Sequence, residues 1–217
     1  MKRLFIIGNG FDMAHGLPTG YQDFHRYLRS EYPNADETPS APPTSVVGHH
    51  GEDVYDKDEV VSYLMNLISR TEGDDWKDVE ATIGNLDFDE DFYGLPEETD
   101  RDGDRNLWHE AYNNEDLARE LAGCVPMISS LFSDWVDTID ISDANAHKDD
   151  VFADIADFAC DLFLSFNYTF TLERVYGAKN VCHIHGCQGS DEHLFGHGAG
   201  HRFAKMILVL TSAVRMD

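Results

Sequence analysis

The sequence predicts an α/β protein: a parallel, Rossmann-like sheet with a large helical insertion between its first strand and its C-terminal strands. Three observations carry this. Leu4-Phe5-Ile6-Ile7 and Leu162-Phe163-Leu164-Ser165-Phe166 are short apolar runs without polar alternation, as in strands buried on both faces. Between them lies a long stretch in which apolar residues recur at helical spacing. After the second run comes a short helical pattern and a further strand-like run, and strand, helical excursion, strand, helix, strand is the grammar of a parallel sheet.

Taken in order, Leu4–Ile7 reads as a fully buried strand that breaks at once into Gly8-Asn9-Gly10-Phe11-Asp12. Tyr21–Tyr32 is helical, with Phe24, Tyr27, Leu28 and Tyr32 on one face and Thr19 placed as an N-cap. Residues 33–53 are rich in Pro, Ser, Thr and Asp and read as an exposed loop. Val60–Ile68 resumes helical periodicity, and Trp76–Asn85 gives a further short helix. Residues 88–105 form a second, acidic loop. Leu107–Val136 is helical and expected to break at Gly123 and Pro126. Residues 150–159 make another helix, with Val151, Ile155 and Phe158 as its apolar positions. Residues 161–166 form a strand, Thr171–Tyr176 a short helix and Val181–His185 a last strand. Residues 1–32 and 161–217 are thus two parts of one nucleotide-binding-type core, and 33–160 is a mostly helical insertion.

Composition narrows the function classes. A chain of 217 residues that is 42% hydrophobic, with 13 Phe and 9 Tyr, can build a good core. Its formal net charge of −25 repels phosphate backbones, so a broad duplex-binding face is excluded, whereas a small nucleotide in a local pocket is not. The apolar start is too short for a signal peptide, and Met206–Val214 is too short to span a bilayer. A soluble, cytoplasmic protein with four free cysteines and no membrane contact is expected.

Three constellations are candidates for chemistry. Gly8-Asn9-Gly10-Phe11-Asp12 follows a strand directly, where a glycine turn lets backbone N–H groups approach phosphate. Met13 stands where a dinucleotide fingerprint needs its third glycine, and no P-loop lysine follows, so a simple tight turn is an equal reading. Asp12 can bond a ribose, cap the next helix or do neither. Phe166-Asn167-Tyr168-Thr169 closes the second strand, at the carboxyl end where open α/β sheets bind ligands. Asn167 offers a donor and an acceptor there, or serves only as a turn residue. His183-Ile184-His185-Gly186 places two imidazoles on one face of a strand, with His183 the better candidate for a core histidine and His185 for a proton acceptor. Cys182, His183, His185, Cys187, His193, His197 and His201 crowd together, but Cys182-x4-Cys187 lacks zinc spacing, and no metal is expected. Asp100, Asp102 and Asp104 fail as a calcium loop, because Arg105 and Ala111 replace its glycine and glutamate.

These segments resemble the bacteriophage abortive infection AbiH family. The resemblance is carried by Leu4 to Thr19, with Tyr21 and Phe24; by Trp76, Asp78, Val79 and Glu80; and by Phe166-Asn167-Tyr168-Thr169 with Leu172-Glu173, Tyr176-Gly177 and His183-Ile184-His185-Gly186. That family in turn resembles sirtuin-like NAD-binding folds, which pair a Gly-x-Gly turn and a Gly-Ile-Pro segment with a later Asn-x-Asp and a His-Gly. Here Gly8-Asn9-Gly10, Gly16-Leu17-Pro18, Asn167 and His185-Gly186 match, and Thr169 replaces the aspartate. The resemblance implies a phage-defence effector that binds and cleaves NAD, or a related nucleotide, at its N-glycosidic bond. His185 and Asn167 would be catalytic, and Gly8, Asn9, Gly10, Phe11, Asp12, Pro18, Thr169 and Gly186 would bind the nucleotide. Asp12 or Glu80 would stabilise the developing positive charge. A nucleotide-binding sensor without turnover, a protein-interaction component of a defence system and a homo-oligomer are the other readings. AbiH-like chains usually run well beyond Gly196-His197-Gly198, and Met206–Asp217 carries no family character, so a shortened or frame-shifted copy is expected.

Overall fold

The computed structural model describes residues 2–36, 42–72, 99–142, 144 and 149–190. Trp76–Asn85 and most of the 88–105 loop lie outside those residues. In chain order the elements are β1 (Leu4–Ile7), α1 (Gly10–Ala14), α2 (Tyr21–Glu31), β2 (Ser45–Val47), β3 (Asp53–Tyr55), α3 (Lys57–Glu72), α4 (Leu107–Thr138), α5 (Asp150–Ile155), β4 (Leu162–Ser165), α6 (Thr171–Tyr176) and β5 (Val181–His183). The fold is mixed α/β. It divides into two compact units, one drawn from residues 1–27 and 129–195 and the other from 28–128, and the chain passes between them within α2 and α4. Among the described residues, no helix is long and apolar enough to cross a membrane.

The first unit is organised by a three-stranded parallel sheet of order β1-β4-β5. Phe5 lies beside Phe163 and Phe163 beside Val181; one step on, Ile7 lies beside Ser165 and Ser165 beside His183. These rows share one face, and α1, α5 and α6 all pack on it. Phe163 stacks between Phe5 (5.4 Å between ring centroids) and Phe158 (5.6 Å), while Phe152 meets Phe5 edge-on at 5.8 Å. Leu172 and Ala178 complete this core. The expectation of strands buried on both faces is corrected here. Leu4 is 60% exposed and Ile6 67%, because every helix of this unit that joins the core packs on the opposite face.

A second correction concerns α5. Val151 and Ile155 are exposed, and the helix turns Phe152 and Ala156 inward instead. Asp149 caps the helix, its carboxylate accepting the Phe152 amide at 2.9 Å; the helix starts at Asp150 as predicted and stops at Ile155 rather than at 159. α2 is not capped by Thr19 either. The helix starts at Tyr21, and Asp23 reaches back to the Gly20 amide at 2.9 Å, the reciprocal half of a capping box.

In the second unit, the predicted 33–53 loop contains a strand and the start of its partner. β2 and β3 form an antiparallel hairpin whose ends meet between Gly48 N–H and the Glu52 carbonyl, 2.7 Å apart, with Gly51 at φ +84°. Glu120 on α4 holds the hairpin through the Ser45 amide (2.7 Å) and hydroxyl (3.0 Å). α4 itself runs unbroken through Gly123 and Pro126. Gly123 is a contact window rather than a break: a Cβ there would collide with the Tyr55 ring and hydroxyl. A proline costs a helix about 3 kcal/mol, and burial of Leu121, Cys124, Ile128 and Leu131 on the same helix outweighs it. α3 is apolar nearly all round, and Val60, Val61, Tyr63, Leu64, Met65, Leu67 and Ile68 are all buried.

Candidate functional site

Three parallel strands end together at Ile7, Ser165 and His183, and the residues just beyond them supply the polar groups. After β1 the chain turns through Gly8, whose carbonyl accepts the Phe11 amide at 2.9 Å, and enters α1. The Phe11 N–H is therefore used within the turn. Asn9 closes the turn from outside, its side-chain amide donating to the Thr19 carbonyl at 2.8 Å. Pro18 is exposed beside that contact.

Gly8 and Gly10 are informative because nothing among the described residues asks for glycine there. Neither has a positive φ, and a Cβ on either would meet no atom within 4 Å. Gly16 (φ +74°), Gly177 (φ +70°) and Gly186 (φ +88°) are different: each occupies the left-handed region that side chains disfavour.

Asp12 lies under this turn, 1% exposed. It caps no helix. One carboxylate oxygen, Oδ2, accepts the Thr169 hydroxyl at 2.6 Å, and the Thr169 and Thr171 hydroxyls are 2.8 Å apart. The other, Oδ1, is buried with no hydrogen-bond partner. Burial pushes the Asp12 pKa up, and the hydroxyls of Thr169 and Thr171 and the side chain of Asn167 offset only part of that rise.

Asn167 is 4% exposed and held at both backbone atoms. Its N–H donates to the Ser165 hydroxyl at 3.1 Å, and its carbonyl accepts from His183 Nδ1 at 2.8 Å. The side-chain oxygen Oδ1 is buried without a partner. His183 bridges that carbonyl to Glu173 Oε1, 2.9 Å from its Nε2. Both neighbours of the ring are acceptors, an arrangement that favours the protonated imidazole. Burial alone lowers the His183 pKa, but the Glu173 carboxylate and the Asn167 carbonyl outweigh it and the net shift is upward. His183 is thus tied at both ring nitrogens, while the other Glu173 oxygen, Oε2, is buried without a partner.

His185 does not share a strand face with His183, because β5 ends at His183. It sits in the following loop, 4% exposed, with its ring edge-on to Phe166 (5.3 Å) and Nδ1 3.5 Å from the Tyr168 hydroxyl. Gly186 follows in the left-handed region.

The structure thus brings Asp12, Asn167, Thr169 and His183 into one network at the strand ends, with Gly8–Phe11 before Asp12 and His185-Gly186 after β5. Glu80, His193, His197 and His201 lie outside the described residues. Thr171 and Glu173 belong to the network, although sequence reading gave them no role. Each stands in the first turn of α6, where a Thr and a Glu read as ordinary helix-start residues, and their partners lie far away in the chain. Among the described residues, no group of three or more His, Cys, Asp and Glu side chains is arranged to hold a metal.

A second network beside this one is complete. The Tyr176 hydroxyl accepts the Asp149 amide (2.8 Å) and pairs with His15 Nε2 (2.7 Å), while His15 Nδ1–H donates to the Phe11 carbonyl (2.7 Å). His15 is thus held at both ring nitrogens and anchors the turn's far end.

A family model described as bacteriophage abortive infection AbiH matches residues 4–214. The match continues past Gly196-His197-Gly198 into a segment where no family character was expected. No curated protein and no solved structure matches the chain.

Proposed function

Because the chain belongs to the bacteriophage abortive infection AbiH family, which gives it a role in abortive infection, we propose that it acts by binding NAD or a related nucleotide and hydrolysing its N-glycosidic bond. The observation that carries this reading is the incomplete polar cluster at the carboxyl ends of three parallel strands, where Asp12 Oδ1 and Asn167 Oδ1 are buried without partners. Open α/β sheets bind ligands at this end, and buried polar groups without partners are rare unless something else completes them. The Gly8–Gly10 turn supports it: two glycines with open space above them and no conformational need suit the close approach of a diphosphate.

In this reading Gly8, Asn9 and Gly10 face the diphosphate, with Phe11 and Pro18 shaping the turn. Asn167 orients the ribose or the attacking water. His185 accepts the proton of that water as its oxygen bonds to the ribose carbon. The carbon–nitrogen bond breaks, and its electron pair leaves with the nicotinamide ring, neutralising the ring's positive charge. General-base assistance of this kind contributes about 10²–10⁴-fold in rate. Asp12 stabilises the positive charge that develops on the sugar.

The enclosure of His185 between Phe166 and Tyr168 favours a second reading, in which the nucleotide is bound and sensed without turnover. Incubation of the purified protein with NAD, with free nicotinamide followed by chromatography beside the His185→Ala variant, separates the two. Release by the parent alone is expected. Equal release by both proteins would remove His185 from the chemistry. No release, with NAD still raising the melting temperature, would establish the sensor.

A further inference from the structure

We infer that Asp12 and Asn167 together form a subsite for the cis-diol of a ribose ring. The inference rests on the nucleotide reading above and names the part of the ligand that these two residues would take.

The two side chains are fixed. Asp12 is anchored through Oδ2 by the Thr169 hydroxyl, which is itself backed by Thr171. Asn167 is anchored through both its backbone N–H and its carbonyl. Its side-chain amide lies against the Asp12 carboxyl, close enough to hold down the Asp12 pKa. What remains is one oxygen on each, Asp12 Oδ1 and Asn167 Oδ1, both buried and both without a partner.

The chemistry of those two atoms selects the occupant. Each is an acceptor, so the ligand must bring two donors to neighbouring positions. An ionised phosphate brings none and would set a second negative charge beside a buried carboxylate. The imidazole of the cluster, His183, is already engaged by Glu173 and the Asn167 carbonyl. Two hydroxyls on adjacent ring carbons, on the same side of the ring, supply two donors side by side. Such hydroxyls also favour an ionised Asp12, against the effect of burial. Phosphate then belongs to the open glycine turn and the sugar to the acceptor pair. The result is a division of labour along residues 8–12.

The test compares NAD with its analogue carrying arabinose in place of ribose beside nicotinamide, in which the 2′-hydroxyl is inverted and the cis-diol is lost. Dissociation constants follow from the dependence of melting temperature on ligand concentration. The parent is expected to bind the arabinose analogue at least about tenfold more weakly, the usual effect of losing a hydrogen bond to a charged group. In Asp12→Asn, NAD affinity is expected to fall by a similar factor and the difference between the two sugars to shrink. Melting of that variant without ligand shows that it is folded. Equal affinities of the parent for both sugars would overturn the diol assignment and leave nucleotide binding intact. If neither NAD nor its analogue shifts the melting temperature, the nucleotide reading falls and the subsite falls with it.

Discussion

Two aspartates at opposite ends of one sheet are equally buried and differently used. Asp161, just before β4, and Asp12, just after β1, are each 1% exposed. Asp161 accepts the Arg3 amide at Oδ1 (2.9 Å), and at Oδ2 it takes Arg3 Nε (3.0 Å), Arg3 Nη2 (2.6 Å) and the Asp157 amide (2.9 Å). The Arg3 guanidinium, and then these amides, hold its pKa down at about 2. Asp12 has one filled oxygen and one empty one, and burial moves its pKa the other way. Burial alone therefore says little about what a carboxylate is for; the number of donors the fold supplies decides it. Where the fold supplies them all, the carboxylate stabilises the fold. Where it withholds one, the carboxylate keeps an unpartnered oxygen.

The largest effect should come from breaking the complete end. Asp161→Ala removes the acceptor of three Arg3 bonds and of the Asp157 amide, and should lower the unfolding midpoint at pH 7 more than any change at Asp12. The folded pKa of about 2 lies below the ordinary 3.8 of the unfolded chain. The contribution of Asp161 is thus present above about pH 4 and lost as the pH falls toward 2. Denaturant titrations of parent and variant at pH 7, 4 and 2 should show midpoints that converge across that window. A constant gap at all three would mean that packing, not charge, makes Asp161 matter. The second complete network offers a smaller break. Tyr176→Phe strips the hydroxyl that joins Asp149 to His15 and leaves both without it, for a loss of about 1–3 kcal/mol by equilibrium unfolding.

Asp12→Asn should move stability in the opposite direction. A raised folded pKa means that the favourable contribution of Asp12 is present below the unfolded value of 3.8 and lost as pH rises through the folded one. At neutral pH the buried carboxylate is a burden that the amide lacks. The variant should therefore melt at or above the parent's temperature at pH 7 and lose that advantage near pH 3, while its affinity for NAD falls. A clear drop in melting temperature at pH 7 would place Asp12 with Asp161 among structural carboxylates and remove the contrast.

How much of this was legible depends on how local the cause is. β1, α2 and α6 follow from apolar spacing over a few residues, and the structure places them within a residue of the reading. The sheet's bare face was not legible, because uninterrupted apolar runs in Leu4–Ile7 and Leu162–Leu164 look the same whether one face or both are covered. Pro126 and Gly123 read as breaks because their local cost is visible and the distant partners that reverse it, Tyr55 for Gly123 above all, are not. The candidate site divides in the same way. Gly8-Asn9-Gly10 and Asn167 stand out by residue type after a strand. Thr171 and Glu173 acquire meaning only through Thr169, Asp12 and His183, and no spacing in the chain announces those pairs.

Glycine gives the smallest stability effect and the sharpest form of the same contrast. Gly177 ends α6 at φ +70°, and Gly177→Ala should cost about 1 kcal/mol, because a Cβ is disfavoured in that region. Gly8 and Gly10 carry no such constraint and have room for a methyl group. Gly10→Ala, inside α1, should be neutral or gain up to about 1 kcal/mol by narrowing the unfolded ensemble. If the turn exists to let a phosphate approach the backbone, the same substitution should weaken NAD binding by about tenfold or more while the protein becomes no less stable. A variant that is stabilised and still binds NAD like the parent would make Gly8-Asn9-Gly10 a simple turn. Stability unchanged with binding lost would mean that these glycines serve something outside the polypeptide.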